Sequence, residues 1–464
     1  DVLHQLRKDV DEGTLPAVSW VVGPENFSDH PGAPWYGAWY VSEVMDILTS
    51  KPEVWKKTIF ILCYDENDGY FDHVPPYVAP DPYKEGSGKV SEGIDTKTEF
   101  VTLEQDMRRK EREESRESAI GLGYRVPLVV ASPWSRGGQV NSQVFDHTSI
   151  LMFLEKFLSA KTGKQIRETN ITEWRRTVCG DLTSVFKPYN NEKVKLPETV
   201  VKNSFYESVH KAQFLENPSG YKEYSKEEIT KYKADKKTGT LFQQEKGTKP
   251  SCAVPYELYA DGNLDHGSGS FKITMSAGNQ FFGKDAAGSP FLIYAAAAHR
   301  DLNNKDSFVL MRSWNYAVKA GDKLSDEWKT EDFKDQKYKL QLHGPNGFYR
   351  EFKGDKNDPE IAITCKYSKE TPASKKPNGD LELTVINAGT KPVMIRVKDA
   401  TYKTIDKTYT VKGGKTFLKI RIPGSKASGW YDLAITAEGF PGFEKKFAGR
   451  VETGKISITD PAMA

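Results

Sequence analysis

The stretch Thr58–Pro76, TIFILCYDENDGYFDHVPP, joins an apolar run to a cluster of acidic and turn-forming residues. The run from Thr58 to Tyr64 predicts a strand buried on both faces, as in the parallel sheet of an α/β domain. Asp65 and Glu66 follow at once, and ligands of such sheets bind beyond the carboxyl ends of the strands. The stretch therefore predicts a metal or acid–base site. The alternative is a polar turn in which Asp and Asn serve turn chemistry.

Length and composition limit the classes of protein that the chain can represent. Its 464 residues are enough for roughly three domains. Lys and Arg total 66 against 64 Asp and Glu, and this near balance argues against a nucleic-acid partner. No apolar run approaches the ~20 residues that span a bilayer. The four cysteines form no CxxC pair, so a zinc-ribbon or thioredoxin-like site is not supported.

The first 196 residues show alternating strand and helix patterns. Residues 15–23 and 124–134 are typical of strands, in addition to the run that begins at Thr58. Residues 35–50 have helical spacing, and a second helix is predicted from Asp146 onward, with Asp146 or Thr148 as its N-cap. This alternation predicts an α/β domain with a parallel sheet over residues 1–196.

The remainder of the chain changes character twice. Residues 197–250 are polar and lysine-rich, which predicts a linker or an extended segment. From residue 251 the pattern is short β runs separated by turn residues, which favours β-sandwiches at 251–357 and 358–464. An internal repeat supports two such domains. It relates Tyr338-x-Leu340 and Phe348-xxx-Phe352-x-Gly354 to Tyr431-x-Leu433 and Phe443-xxx-Phe447-x-Gly449.

The motifs YDENDGYFDH (64–73) and SPWSRGG (132–138), in this order, closely resemble those of bacterial phosphocholine-specific phospholipase C. That family belongs to the alkaline-phosphatase-like superfamily and is related to bacterial acid phosphatases. The two predicted β modules look like the paired C-terminal domains of the same enzymes. The resemblance implies a partial alkaline-phosphatase-like catalytic domain followed by two all-β domains.

One part of the family pattern is not found in these residues. The family carries a Glu-Asn pair that binds metal and a Thr or Ser nucleophile, both located before the region that this sequence resembles. We therefore expect residues 1–196 to form the second half of a catalytic domain. The missing N-terminal half is then an expected partner, and the 464 residues alone are expected to be inactive.

The resemblance also implies roles for individual residues. Asp65 and Glu66 are expected to bind a divalent metal ion directly, although oxygen ligands do not decide its identity. His30 is expected to contact the substrate phosphoryl group or the leaving group. Asp72 and His73 are candidates either for supporting the metal ligands or for holding the loop. Asp68 is a further candidate, for which fixing the turn is the favoured role.

The reaction that the resemblance implies is hydrolysis of phosphatidylcholine to a diacylglycerol and phosphocholine, with sphingomyelin as a second substrate. A metal-activated hydroxyl would attack phosphorus. Such an enzyme is expected in the periplasm or secreted, with peripheral membrane contact and no nucleic-acid partner. Two alternatives remain open: an acid phosphatase or other phosphoesterase of the superfamily, and a non-catalytic fragment with lipid-binding or structural β modules.

Two further groups of residues have weaker signals. The aromatic residues at 35, 36, 39 and 40 follow His30 and could face a choline cation, but helical spacing favours core packing for some of them. His147 stands at a predicted helix start, where a capping or packing role is favoured over catalysis.

Overall fold

The computed structural model describes the chain except for residues 1, 28–33, 68, 195–197, 199–200, 218, 236–245, 303, 305, 372, 375 and 464. The helices of the described part are α1 (His4–Glu12), α2 (Pro34–Thr49), α3 (Pro52–Trp55), α4 (Leu103–Asp106), α5 (His147–Thr162), α6 (Glu173–Val178), α7 (Lys202–Ala212) and α8 (Lys226–Ala234). Among them, none has both the length and the apolar character needed to cross a bilayer.

In the described part of the chain before residue 252 there are six short strands, namely β1 (Phe60–Cys63), β2 (Gly88–Val90), β3 (Phe100–Val101), β4 (Ser118–Ala119), β5 (Leu128–Ala131) and β6 (Pro250–Ser251). The strands that follow are β7 (Leu258–Asp265), β8 (Ser270–Ala277), β9 (Ser289–Ala295), β10 (His299–Arg300), β11 (Phe308–Val309), β12 (Arg312–Val318), β13 (Asp322–Lys329), β14 (Lys337–His343), β15 (Tyr349–Asp355), β16 (Ile361–Lys369), β17 (Pro377–Asn387), β18 (Val393–Asp399), β19 (Asp406–Val411), β20 (Thr416–Ile422), β21 (Trp430–Ala437), β22 (Phe440–Arg450) and β23 (Ser457–Ile458).

The two helices predicted in the first 196 residues are confirmed. Helix α2 packs against α1 through a small apolar cluster that includes Val10, Val44 and Ile47. Helix α5 has Asp146 as its N-cap, and Asp146 and Ser149 form a reciprocal capping box. Gly163 ends α5 in the left-handed conformation at φ 69°, which a residue without Cβ adopts at little cost.

The predicted parallel sheet is wrong for the described residues. Strands β1 and β5 pair antiparallel, with Phe60 opposite Ala131 and Cys63 opposite Leu128, and they form a two-stranded sheet. Their side chains are half-buried or exposed, not buried on both faces. Residues 15–23, predicted as a strand, form none. An apolar run indicates a strand, but neither the direction of its partner nor what covers its faces is encoded in the run.

The β-rich region contains two sets of seven strands in corresponding order. In the first set β13-β8-β7 form one sheet and β15-β14-β9-β12 lie in another; in the second set β20-β17-β16 and β22-β21-β18-β19 take the same places. The repeat found in the sequence occupies corresponding strands, with Tyr338 and Leu340 on β14 and Tyr431 and Leu433 on β21. The region is therefore built from two topologically equivalent units.

The two units share one sheet, because the last strand of each unit pairs with the last strand of the other. β15 and β22 are antiparallel, with Phe352 opposite Lys445 and Arg350 opposite Phe447. In the repeat, Arg350 corresponds to Lys445 and Phe352 to Phe447, so the register is that of a local two-fold axis. The resulting mixed sheet has nine strands in the order β19-β18-β21-β22-β15-β14-β9-β12-β2.

Arg350 and Lys445, which lie at this junction, are both buried. The Lys445 ammonium donates to the Gly262 carbonyl at 2.6 Å and to Asn263 Oδ1 at 2.9 Å, which ties the second unit to β7 of the first. Arg350 donates to the Ala448 carbonyl at 2.9 Å. Burial lowers the pKa of Lys445 to about 8.

The N-terminal part of the chain is attached directly to the first unit. Strand β2 joins the nine-stranded sheet by parallel pairing with β12, and a Cβ on Gly88 would come within 1.7 Å of the Asn315 carbonyl oxygen. The Tyr256 hydroxyl accepts a hydrogen bond from the Val144 amide at 3.1 Å. Helices α7 and α8 lie within the segment predicted as a linker, and the predicted domain boundaries stay predictions.

Candidate functional site

The two adjacent carboxylates lie where the chain leaves β1. Asp65 and Glu66 are exposed, and Asp65 Oδ1 accepts a hydrogen bond from the Glu66 amide at 3.1 Å. The Tyr70 amide then donates to the Asn67 carbonyl at 2.9 Å, and Gly69 has a φ of +78°. The chain therefore leaves the strand and turns here. Neighbouring residues point to opposite faces only within a strand, so this rule does not apply to Asp65 and Glu66.

A histidine that the sequence analysis assigned to capping or packing contacts this strand end. His147, the first residue of α5, donates from Nε2 to the Tyr64 carbonyl oxygen at 3.0 Å. A carbonyl oxygen only accepts, so the proton of a neutral His147 is on Nε2. The contact fixes the peptide unit that immediately precedes Asp65, and it joins residues 83 positions apart.

The start of α5 is itself held by a buried ionic network. Arg175 on α6 donates to Asp146 Oδ2 at 2.6 Å and to both carboxylate oxygens of Glu99, at 2.9 and 2.8 Å. Thr172 also donates to Glu99, at 2.7 Å. Because buried charges are tolerated when they are paired and hydrogen-bonded, the network fixes α5 relative to α6 and thereby positions His147. No motif in the sequence pointed to it.

Asp72, a further acidic residue of the loop, is paired with a cation from the neighbouring strand region. Asp72 forms a bidentate pair with Arg125, three residues before β5, and the Arg125 NH2 group lies 2.9 Å from Asp72 Oδ1. The Arg125 guanidinium holds the pKa of Asp72 well below its usual range. His73 Nδ1 is 3.1 Å from the same oxygen, and its side chain is exposed. These contacts hold the loop, while a role for Asp72 or His73 toward substrate stays a prediction.

Several predicted residues do not contribute to the described geometry. His30 and Asp68 lie outside the described residues. Tyr40 is buried, and both Trp39 and Tyr40 pack on Phe27, with ring centroids 5.6 and 6.5 Å apart, as expected for core residues. Trp35 is exposed and packs edge-on against Phe205 of α7.

The donor atoms of the carboxylate pair determine which metal ions it can bind. Asp65 and Glu66 offer hard oxygen ligands of the kind that Mg²⁺, Ca²⁺ and similar ions prefer. Over the described ranges, no group of three or more His, Cys, Asp or Glu side chains is arranged to hold a metal ion. The donor chemistry therefore fits a divalent ion, and a complete coordination shell needs ligands beyond this pair.

The molecule also has a cleft that lies apart from the carboxylate pair. Its volume is about 410 Å³, and it lies where α5 and α6 meet the first β unit, with Arg176, Asp181, Tyr256 and Lys284 in its wall. No described residue of the stretch Thr58–Pro76 lines it. The cleft is therefore separate from the carboxylate pair at the end of β1.

Comparison with known families places this geometry in context. Residues 1–159 match the Phosphoesterase family, and residues 250–355 and 359–450 match the C-terminal domain of bacterial phospholipase C. The two matched segments of the C-terminal domain correspond to the two seven-stranded units. The chain therefore joins a region similar to the Phosphoesterase family to a duplicated β region, and the candidate site lies within the phosphoesterase match.

Individual relatives agree with this class. The chain is 35% identical over 468 residues to a non-hemolytic phospholipase C of Pseudomonas aeruginosa, covering 99% of this chain and 60% of the relative. It is 36% identical to the hemolytic phospholipase C of the same organism, over 99% and 59%. Phospholipase C B of Mycobacterium tuberculosis is 39% identical over 192 residues, covering 40% of this chain and 33% of the relative. The chain is thus similar to bacterial phospholipases C over nearly its whole length, and it spans about 60% of the length of the first two relatives.

Proposed function

We propose that this chain is part of a phospholipase C that hydrolyses phosphatidylcholine, with sphingomyelin as a second substrate. The products are phosphocholine and a diacylglycerol or, from sphingomyelin, a ceramide. The proposal is supported by the relatives named phospholipase C, whose similarity extends over nearly the whole chain. It is also supported by the position of two adjacent acidic residues at a strand end inside the phosphoesterase match.

The observation that carries the proposal is that Asp65 and Glu66 are exposed and form no ion pair with any described residue. Within the described residues neither carboxylate takes part in an ion pair, whereas Asp72, Asp146 and Glu99 nearby are all paired with arginine. Two adjacent carboxylates without a cation repel each other and favour binding of a positive ion. The pair is therefore available to hold a divalent metal ion, whose identity the donor set leaves open.

A metal ion bound there would lower the pKa of an attacking hydroxyl and stabilise negative charge on the phosphoryl oxygens. Asp65 and Glu66 would hold and orient that ion, and His147 would keep the preceding peptide in place. The attacking hydroxyl, proposed to lie outside these 464 residues, would form a bond to phosphorus as the bond to the diacylglycerol oxygen breaks. Water would then release phosphocholine. His30 is proposed to contact the phosphoryl group or the leaving group.

The substrate determines where such a protein would work. We infer export to the periplasm or the medium, where the protein would meet phospholipid of other membranes. Its contact with the bilayer would be peripheral, through side chains at the surface. The remaining part of the catalytic domain is proposed as the structural partner of residues 1–196.

The test is hydrolysis of p-nitrophenylphosphorylcholine by the 464-residue chain and by the full-length gene product, each with and without added divalent metal. We expect metal-dependent turnover by the full-length product and none by the chain alone. Turnover by the chain alone would show that the nucleophile lies within it. Faster hydrolysis of p-nitrophenyl phosphate by the full-length product would instead support a phosphatase of the same superfamily.

A further inference from the structure

The outward face of the second β unit has an exposed apolar pair. On β20 the buried residues Ile420 and Ile422 alternate with outward-facing residues, of which Phe417 is 69% exposed. Ile386 of β17 lies directly opposite Phe417 and is 40% exposed. Residues directly opposite each other in an antiparallel pair point to the same face and lie side by side. The two side chains therefore form one apolar surface.

The corresponding place in the first β unit is polar. Strand β13 takes the place of β20 there, and β8 takes that of β17. Aligning Leu324 with Leu418, which both pack on the core, places Lys323 where Phe417 stands in the second unit. Lys323 lies opposite Ser276. The fold of a unit therefore does not require an apolar pair at this place, which points to a binding role for it.

Two loops at the same end of the second unit bring lysines to this pair. Lys391 lies in the loop after β17, and Lys412 and Lys415 lie in the loop before β20. All three are exposed, and none forms an ion pair with a described residue. Two acidic residues, Glu360 and Glu438, adjoin this end through backbone hydrogen bonds. The three lysines therefore leave an excess of positive charge beside the apolar pair.

The two lysine-bearing loops are bonded to each other. The buried Asn387 side chain donates to the carbonyls of Lys391 and Val411, at 2.9 and 3.0 Å. The Gly414 amide donates to the Gly389 carbonyl at 2.8 Å, which links one loop to the other. The backbone of both loops is thus fixed before anything binds, so binding orders little more than the side chains.

This end of the molecule lies away from the part that the rest of the catalytic domain is proposed to complete. Residues 1–196 join the nine-stranded sheet through β2, at one edge. Strand β20 contacts β19, which is the strand at the opposite edge. The exposure of Phe417 therefore belongs to a different surface from the one at which residues 1–196 would meet their partner.

We propose that this surface, formed by Phe417, Ile386, Lys391, Lys412 and Lys415 and called here the Phe417 patch, binds bilayers that contain anionic phospholipid. The inference rests on the proposed function, which brings the protein to a lipid surface. The ammonium groups would contact lipid phosphates, while the ring and the isoleucine side chain leave water at the boundary between headgroups and acyl chains. The patch would recruit the protein to the membrane, and the carboxylate pair would act on the lipid.

A second copy of this chain is the competing occupant of an exposed apolar surface. A two-fold interface uses the same surface twice, so it would place one Phe417 patch on another. The lysines of one copy would then face those of the other, and like charges across an interface disfavour association. A layer of lipid phosphates has the opposite charge, so charge complementarity favours the membrane.

The first experiment measures partition of the 464-residue chain into sucrose-loaded vesicles by sedimentation. We expect stronger partition into phosphatidylcholine mixed with phosphatidylglycerol than into phosphatidylcholine alone, and loss of this difference at high salt. Lys391→Gln combined with Lys412→Gln should lower partition into the mixed vesicles roughly 25-fold, because each lysine near an anionic surface contributes about a factor of five. Lys323→Gln combined with Lys329→Gln removes the same charge from β13 and should change partition less than about twofold.

The apolar part of the patch is tested in the same assay. Phe417→Ser should lower partition into the mixed vesicles roughly tenfold, because a large apolar side chain then no longer leaves water. Phe214→Ser is the matched control, since Phe214 is 74% exposed outside the β units, and it should change partition less than about twofold. Equal partition into both lipid mixtures would overturn the proposal, as would equal losses in the patch and control variants. A dimer in lipid-free sedimentation velocity that Phe417→Ser abolishes would assign the patch to a second copy and also overturn it.

A second measurement separates failure of the patch from failure of the proposed function. In the full-length product, phosphatidylglycerol added to phosphatidylcholine vesicles should raise hydrolysis of phosphatidylcholine, and Lys391→Gln combined with Lys412→Gln should remove that increase. Turnover of dissolved p-nitrophenylphosphorylcholine should not change. An increase that persists in the double variant would overturn the patch as the anchor. If the unsubstituted product hydrolyses neither substrate, the proposed function fails, while vesicle partition still tests the Phe417 patch.

Discussion

The two ends of this chain differ sharply in how much of their structure is buried. In the β units, strand residues such as Phe352, Leu433 and Phe447 are fully inaccessible to solvent. In the phosphoesterase region, by contrast, β1 and β5 form a two-stranded sheet whose side chains are half-buried or exposed. The difference teaches that the core which stabilises this chain and the carboxylates proposed for its chemistry belong to separate parts of the molecule. Substitutions should therefore affect stability and activity separately.

The strongest way to break this comparison is to create a cavity in the β units. Phe352→Ala should lower the free energy of unfolding by roughly 3–5 kcal/mol, because the ring is fully buried and packs on Phe271. Val129→Ala on β5 should cost less than about 1 kcal/mol, because Val129 is exposed. Urea unfolding followed by tryptophan fluorescence checks both. Similar losses in the two variants would contradict the division of stability drawn here.

Lys445, buried at the junction between the units, predicts that the free energy of unfolding depends on pH, with an effect of similar size. Lys445 has a folded-state pKa of about 8, below its ordinary 10.5, so between these pH values the unfolded chain binds a proton that the folded chain has released. Stability from this group therefore rises with pH across that window, and the cost of burying the charge is fully present below pH 8.

The measurement compares unfolding free energies of the unsubstituted chain and Lys445→Met from pH 7.5 to 10.5. Their difference should move by up to roughly 3 kcal/mol in favour of the unsubstituted chain as pH rises. Lys353→Met, at an exposed position of β15, is the control and should show no such trend. A pH-independent difference for Lys445→Met would rule out titration of this lysine.

The next prediction concerns activity and should leave stability unchanged. Asp65→Ala or Glu66→Ala in the full-length product should reduce turnover of p-nitrophenylphosphorylcholine at least ~100-fold, the effect of losing a principal electrostatic element. Both side chains are exposed, so melting temperature should stay the same. Glu113→Ala, at another exposed position, is the control. Near-normal turnover in both variants would remove the metal assignment.

The smallest expected effect concerns His147, which positions the peptide before the carboxylate pair. His147→Ala should weaken divalent-metal binding by the full-length product roughly tenfold, because residues that position metal ligands typically contribute 10- to 100-fold. His147→Gln, which keeps a donor for the Tyr64 carbonyl, should recover much of the affinity. His210→Ala on α7 is the matched control. Titration calorimetry reads the affinity, and an equal effect of Ala and Gln would show that the hydrogen bond is not what matters.

Local signals in the sequence predicted α2 and α5 but missed α1, α7 and α8, and they predicted sheet partners poorly. Helices α2 and α5 follow from apolar spacing, and α5 also from Asp146 at its start, because these signals act within a few residues. The direction of β1 relative to β5 depends on a partner strand about seventy residues away. An apolar run contains no information about that partner. The repeat marked corresponding strands, but not that β15 and β22 would pair.

The candidate site shows the same limit. Asp65 and Glu66 could be selected from the sequence because they adjoin a strand and a turn. The contact of His147 with Tyr64, and that of Arg125 with Asp72, join residues 83 and 53 positions apart. Neither partner is marked by its own neighbours in the chain, so only the folded arrangement identifies them.

The pairing of β15 with β22 has a practical consequence for anyone dividing the protein into expression fragments. A cut after the first repeat would leave β15, seven residues long, as the outer strand of its sheet, with unsatisfied N–H and C=O groups along one side. Such an edge recruits strands from other molecules and promotes aggregation. The two repeats are therefore better produced as a single piece, despite each having a complete set of strands.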